Sequence, residues 1–89
     1  MERKRATMDR EELLKRITVD PEVMVGQPTI RGMRITVQHI LETLAAGTTP
    51  EDLLKDLPVL EAEDVLAALV YAAEVVGEAP VYRAEAQHA

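Results

Sequence analysis

The 89-residue chain contains no cysteine, phenylalanine, tryptophan, serine or asparagine. The missing cysteine excludes disulfides, thiolate zinc sites and cysteine nucleophiles together, and it suits a reducing cytoplasm. Tyr71 and Tyr82 are the aromatic residues, so the core has to come from Leu, Val, Ile, Met and Ala. Such side chains interdigitate easily between helices. Threonine is the only aliphatic hydroxyl type. With no base assignable to it, hydroxyl nucleophile chemistry has no support. The basic start Arg3-Lys4-Arg5 runs into further charge instead of an apolar stretch, so no signal peptide is expected. The apolar run 65–76 is interrupted by Glu74 and is too short to span a bilayer, which argues against a membrane partner.

What is present is unevenly charged. The net charge is −6. Residues 1–35 carry eight Lys/Arg against six Asp/Glu, whereas residues 36–78 carry Lys55 against nine acids. A basic-leaning front and an acidic back suit a protein with two different partners. The plainer reading is that acids keep a small helical domain soluble. At this length a single domain is expected. A chain so short buries only about 60% of its unfolded surface, so a partner would help it.

Residues 20–37 hold the densest local signal. Pro21, Gly26 and Pro28 stand beside Arg31 and Arg34, which flank Gly32. Prolines and glycines at this density specify turns. Asp9 with Glu12 resembles an acidic capping box for a short helix. Strand-like pieces follow at residues 17–19, 23–25, 29–30 and 33–35. Thr36 is the expected cap of a helix whose core stripe is Val37, Ile40, Leu41, Leu44 and Ala45, with Gly47 ending it. Thr49 and Pro50 start another, which Pro58 breaks. The last helix is expected over residues 61–76, closed by Gly77 with Pro80 beyond. The fold class is therefore mostly α: a three-helix core preceded by a short helix and a small β-hairpin. A basic arm (residues 1–8), a domain (9–77) and a tail (78–89) divide the chain.

The last two helices have helix-turn-helix spacing. A reading helix over residues 61–76 would carry no Lys or Arg, however, and Glu61, Glu63 and Asp64 near its start would repel phosphates. Arg31, Gly32 and Arg34, with Lys4 and Arg5 of the arm, are the better DNA candidates, because Gly32 permits close approach of the backbone. The rival reading has Arg31 and Arg34 pairing with acids of the later helices to hold the turn in place. Val65-Leu66-Ala67-Ala68-Leu69-Val70-Tyr71-Ala72-Ala73 is apolar all round. One face packs on the core. The other offers a dimer or partner interface, drawn from Val65, Leu66, Leu69, Val70, Tyr71 and Ala73. His39 and Glu42, three residues apart, are too few to make a metal site. No Gly-rich phosphate loop matches, and no catalytic residue, cofactor or small-molecule substrate is expected.

Residues 17–76 resemble the family called domain of unknown function 433. The resemblance rests on Asp20-Pro21, on Gly26-x-Pro-x-Ile-Arg-Gly-x-Arg-Ile, on Ala46-Gly-Thr-Thr-Pro-Glu-Asp-Leu-Leu-x-Asp-x-Pro-x-Leu, and on Glu63-Asp-Val-x-x-Ala-Leu. The chain departs from the pattern at Val25, where the family usually has a second Gly. It departs also at Gln27 (Lys in the family), Met33 (Thr), Thr36 (Pro) and Leu57 (Tyr). The resemblance implies a homeodomain-like helix-turn-helix core and similarity to antitoxins of the VapB kind. Such antitoxins bind and silence a PIN-like nuclease toxin and repress their own promoter. The expected function is thus a non-catalytic, dimeric, cytoplasmic DNA-binding antitoxin. The alternative is an acidic protein–protein interaction module without nucleic-acid binding.

Overall fold

A computed structural model describes residues 8–78. Four helices and a two-stranded antiparallel sheet follow one another along them. Helix α1 (Arg10–Leu14) begins at a complete capping box. Asp9 accepts the Glu12 N–H, and the Glu12 carboxylate accepts the Asp9 N–H. Strand β1 (Ile17–Thr18) then pairs with β2 (Thr29–Ile30), with Ile17 opposite Ile30 and Thr18 opposite Thr29.

Between the strands the expected extended piece at residues 23–25 is replaced by a tight turn. Met24, Val25 and Gly26 all lie at positive φ, 50°, 57° and 79°. Glycine adopts such angles freely, but a β-branched residue is strained there. Val25 is 91% exposed, so no packing of its side chain offsets the strain. Bonds from the Gly26 N–H to the Val23 carbonyl and from the Gln27 N–H to the Met24 carbonyl close the turn. Val25 thus stands where the backbone asks for the glycine that the resemblance leads one to expect. Residues 33–35 form no strand either. The Ile30 N–H bonds to the Ile35 carbonyl and Thr36 bridges to Thr29, so the chain doubles back at once.

Helix α2 (Val37–Ala45) is capped by Thr36, whose hydroxyl accepts the His39 N–H at 3.0 Å. Gly47 takes the reversal after it at φ 104°. Helix α3 (Pro50–Asp56) starts with Pro50 in its first turn, and its Thr49 cap accepts the Asp52 N–H. Helix α4 (Ala62–Glu78) runs through Gly77, which the sequence reading put at its end. A single glycine costs about 1 kcal/mol in a helix relative to alanine, too little to halt one already propagating. Pro80 lies outside the described residues. So do the basic arm apart from Met8 and the tail apart from Glu78.

Helix α4 is the hub, since α1, α2, α3 and β1 all pack on it. Its Ala67 and Ala68 are fully buried, and their small side chains let neighbours approach closely. Ile30, Val37, Ile40, Leu53, Leu60, Val65 and Ala68 form the core, with Leu41, Leu44 and Tyr71 packed at its edge. Ala45, expected on the core stripe, is exposed in the last turn of α2. No helix of the described residues is long and apolar enough to cross a membrane.

Candidate functional site

The two arginines beside Gly32 part company in the structure. Arg31 and Gly32 are the central residues of a turn closed by the Met33 N–H on the Ile30 carbonyl, both at positive φ, 47° and 74°. The turn is stitched to β1. The Arg31 N–H donates to the Arg16 carbonyl, and the Gly32 N–H donates to the Thr18 hydroxyl at 2.8 Å. The Gly32 amide is thereby spent inside the protein and is not presented to a phosphate. Its glycine identity serves φ instead, because a Cβ there would meet nothing within 4 Å.

The Arg31 side chain reaches a carboxylate in the first turn of α4. Its Nε donates to Asp64 Oδ1 at 3.1 Å and its Nη2 to Asp64 Oδ2 at 2.8 Å, a two-pronged pair. The same Nη2 donates to the Val59 carbonyl. Arg16 Nη1 completes the cluster, bonding Asp64 Oδ1 at 2.9 Å and Glu61 Oε1 at 2.8 Å. The Glu61 N–H fills a further position on Asp64 Oδ2. Asp64 is fully buried. Burial alone pushes its carboxyl up, but the bonds from Arg31, the Glu61 N–H and Arg16 outweigh that and hold it below the usual carboxylate range. A shielded carboxylate with each oxygen twice bonded has no proton-transfer role to play. It clamps the sheet and its turn onto α4. The sequence offered Asp64 both as an acid repelling phosphates and, without naming it, among the acids of the later helices that could pair with Arg31; the structure shows the pairing. Its pairing joins residues 33 apart in the chain, which no local pattern reports.

Arg34 faces the other way. It lines a hollow of about 430 Å³ with Met24, Ile35, Thr36, His39 and Leu57. Among the described residues Arg34 has no ion-pair partner. Glu42, the neighbour expected for His39, instead accepts from Gln38 Nε2 at 3.0 Å. Lys4 and Arg5 lie outside the described residues.

The interface candidates on α4 divide by burial. Val65 is core, 4% exposed, which removes it from any interface. Val70 and Tyr71 are half-buried and Ala73 is exposed. Leu66, Leu69 and Val76 are 49%, 45% and 70% exposed. Ala62, Leu66, Leu69, Ala73 and Val76 recur at spacings of four and three, the period of a helix–helix seam. Val76 went unnoticed in the sequence because the helix was expected to stop there. Beside it, Pro28, Val37, Leu41, Tyr71, Val75 and Val76 line an apolar trough of about 410 Å³. His39 and Glu42 have no further ligands near them, and among the described residues no three His, Cys, Asp or Glu could hold a metal ion together.

Fold and site together define a small, mostly helical domain in which an ion cluster locks a miniature sheet to a central helix, with a hollow lined by Arg34 and an apolar helix face open among the described residues. The chain belongs to the family described as protein of unknown function (DUF433), whose model matches residues 17–72. Arg31 and Asp64 fall within that span, and Arg16 immediately precedes it. The uncharacterized protein y4eO of Sinorhizobium fredii is 36% identical over 56 residues, which are 63% of this chain and 25% of the relative. The chain therefore spans a quarter of that protein's length. No solved structure matches.

Proposed function

We propose that this protein is a non-catalytic, antitoxin-like regulator with α2, α3 and α4 as a homeodomain-like helix-turn-helix core. In this reading it is a cytoplasmic homodimer that binds and silences a PIN-like ribonuclease toxin and represses its own promoter. The observation that carries the reading is the outer face of α4. Leu66, Leu69, Ala73 and Val76 form an exposed apolar seam on a helix with four acids and no Lys or Arg. Apolar seams of this period are covered by another helix. Two of those acids, Asp64 and Glu74, are held in ion pairs; the other two, Glu63 and Glu78, suit a partner whose own surface is basic, as an RNA-cutting groove is.

Co-expression with a PIN-like nuclease tests this. The wild-type chain should co-purify with the nuclease and suppress RNA cleavage. Leu69→Asp should release the nuclease while the fold is kept, because Leu69 lies outside the core. Unchanged inhibition by that variant would sink the assignment of the face. A second reading, a protein-interaction module without nucleic-acid binding, is favoured by the charge of α4 itself. Titration against DNA from upstream of the gene, at several salt concentrations and with an unrelated duplex as control, separates the two. Real phosphate contacts make affinity fall steeply with salt.

A further inference from the structure

Most cations of the described residues are engaged or stand among acids. Arg16 and Arg31 are bound to Asp64, and Arg10 is bound to Glu74 at 2.8 Å. Lys55 sits on α3 between Asp52 and Asp56 in sequence. Lys15 follows the acidic pair Glu11 and Glu12 of α1. Arg34 differs: it lines a hollow that contains a second basic side chain, His39, and no acid. The walls are apolar, from Met24, Ile35 and Leu57. The strained turn at Met24 builds one wall, and the chain leaving α3 at Leu57 builds the other. Helix α2 itself offers little attraction here. Its Val37 N–H is bonded to the Pro28 carbonyl and its His39 N–H to the Thr36 hydroxyl.

We infer that the hollow between Arg34 and His39 seats a backbone phosphate of a DNA duplex. This rests on the DNA-binding half of the reading above and deepens it, because it moves the contact off Arg31 and Gly32 and adds His39. Arg34 supplies a permanent positive charge and a planar fork that matches phosphate oxygens. The exposed imidazole of His39, in the first turn of α2, lines the same hollow and supplies a second donor. The exposed acids of α3, Glu51, Asp52 and Asp56, repel phosphates, which favours the acid-free hollow as the place of contact. The contact positions the duplex without reading its sequence.

The test uses the full chain and two probes, a mixed-sequence DNA duplex and inorganic phosphate. Arg34→Ala should weaken duplex binding several-fold at low salt and reduce the slope of log affinity against log salt by about 1. His39→Ala should weaken binding less, and His39→Arg should strengthen it. Lys55→Ala should leave it unchanged. In NMR spectra the His39 ring resonances should move with the duplex and stay still with an equal concentration of inorganic phosphate. Duplex binding that survives Arg34→Ala and His39→Ala but is lost on replacing Lys4 and Arg5 overturns the hollow and spares the DNA reading. Movement of His39 with phosphate but not with duplex overturns the choice of ligand. A wild-type chain that binds no duplex at any salt concentration overturns both.

Discussion

Arg31 and Arg34 lie three residues apart on one turn, and their surroundings are opposite. Arg31 is folded back onto a fully buried carboxylate, shared with Arg16 and the Glu61 N–H. Arg34 lines a hollow with no acid in its lining. Identical side chains therefore serve different ends. The first holds the sheet to α4, and the second remains free to meet something else. Charge counted along the chain treats them alike. The difference appears only when each charge is matched with its partner in space.

The sharpest way to break the comparison is Asp64→Ala. Removing the carboxylate leaves Arg16 and Arg31 facing each other and strips the Glu61 N–H of its acceptor. A loss of about 3–5 kcal/mol is expected, read from urea or guanidinium unfolding. The pH dependence should agree in sign. The folded-state pKa of Asp64 is depressed, so its contribution is complete above the unfolded carboxylate value of about 3.9 and disappears as pH falls through the lower folded value. Wild type should lose stability in that acidic range more steeply than Asp64→Ala, and parallel curves would remove Asp64 from the account.

Next in size is Arg31→Lys, which keeps the charge but cannot make the two-pronged pair and reach the Val59 carbonyl together. It should cost about 1.5–3 kcal/mol in the same unfolding measurement. Val25→Gly should act in the other direction. A left-handed residue other than glycine costs roughly 1–2 kcal/mol, partly offset by the greater freedom of glycine when unfolded, so a net gain of about 0.5–1 kcal/mol is expected. Thermal melting would show it, and a lowered midpoint would mean that Val25 makes contacts its exposure conceals. The smallest effect belongs to Arg34→Ala. It should change stability by less than about 0.5 kcal/mol, and a larger loss would make Arg34 a structural residue like its neighbour. Because Arg31→Ala would damage the fold as well as remove a charge, Arg34 alone is the informative substitution for nucleic-acid binding.

Much of the local structure was legible in the residues. Asp9 with Glu12, Thr36, and Thr49 with Pro50 marked three helix starts, because a cap is a bond between groups two or three positions apart. The turn around Gly32 was legible for a similar reason. The helical stripe through Val37 and Ile40 pointed to the core, but Ala45 did not follow it once the helix ended. Gly77 misled because a glycine permits a helix to end without requiring it. Residues 23–25 misled because β-branched valines favour extended backbone, and Pro21 with the closing bonds of the turn overrode that preference. For the site, the two readings of the arginines were both visible beforehand and could not be separated by sequence, because Asp64 is 33 residues from Arg31 and 48 from Arg16.

By itself the sequence determined the chemistry available and the order of the elements. A chain without cysteine, phenylalanine or tryptophan, with capped helices and an acidic second half, had to build a largely aliphatic, mostly helical domain. Only the tertiary structure decided which charges cancel. Burial of Asp64 beneath two arginines raises the cost of leaving it unpaired and so fixes Arg16 and Arg31 in place. Packing of α1, α2 and α3 around α4 likewise decided that Val65 is core and Leu69 is surface. Both outcomes depend on distances between segments remote in the chain, and those distances are set by how the whole apolar core closes.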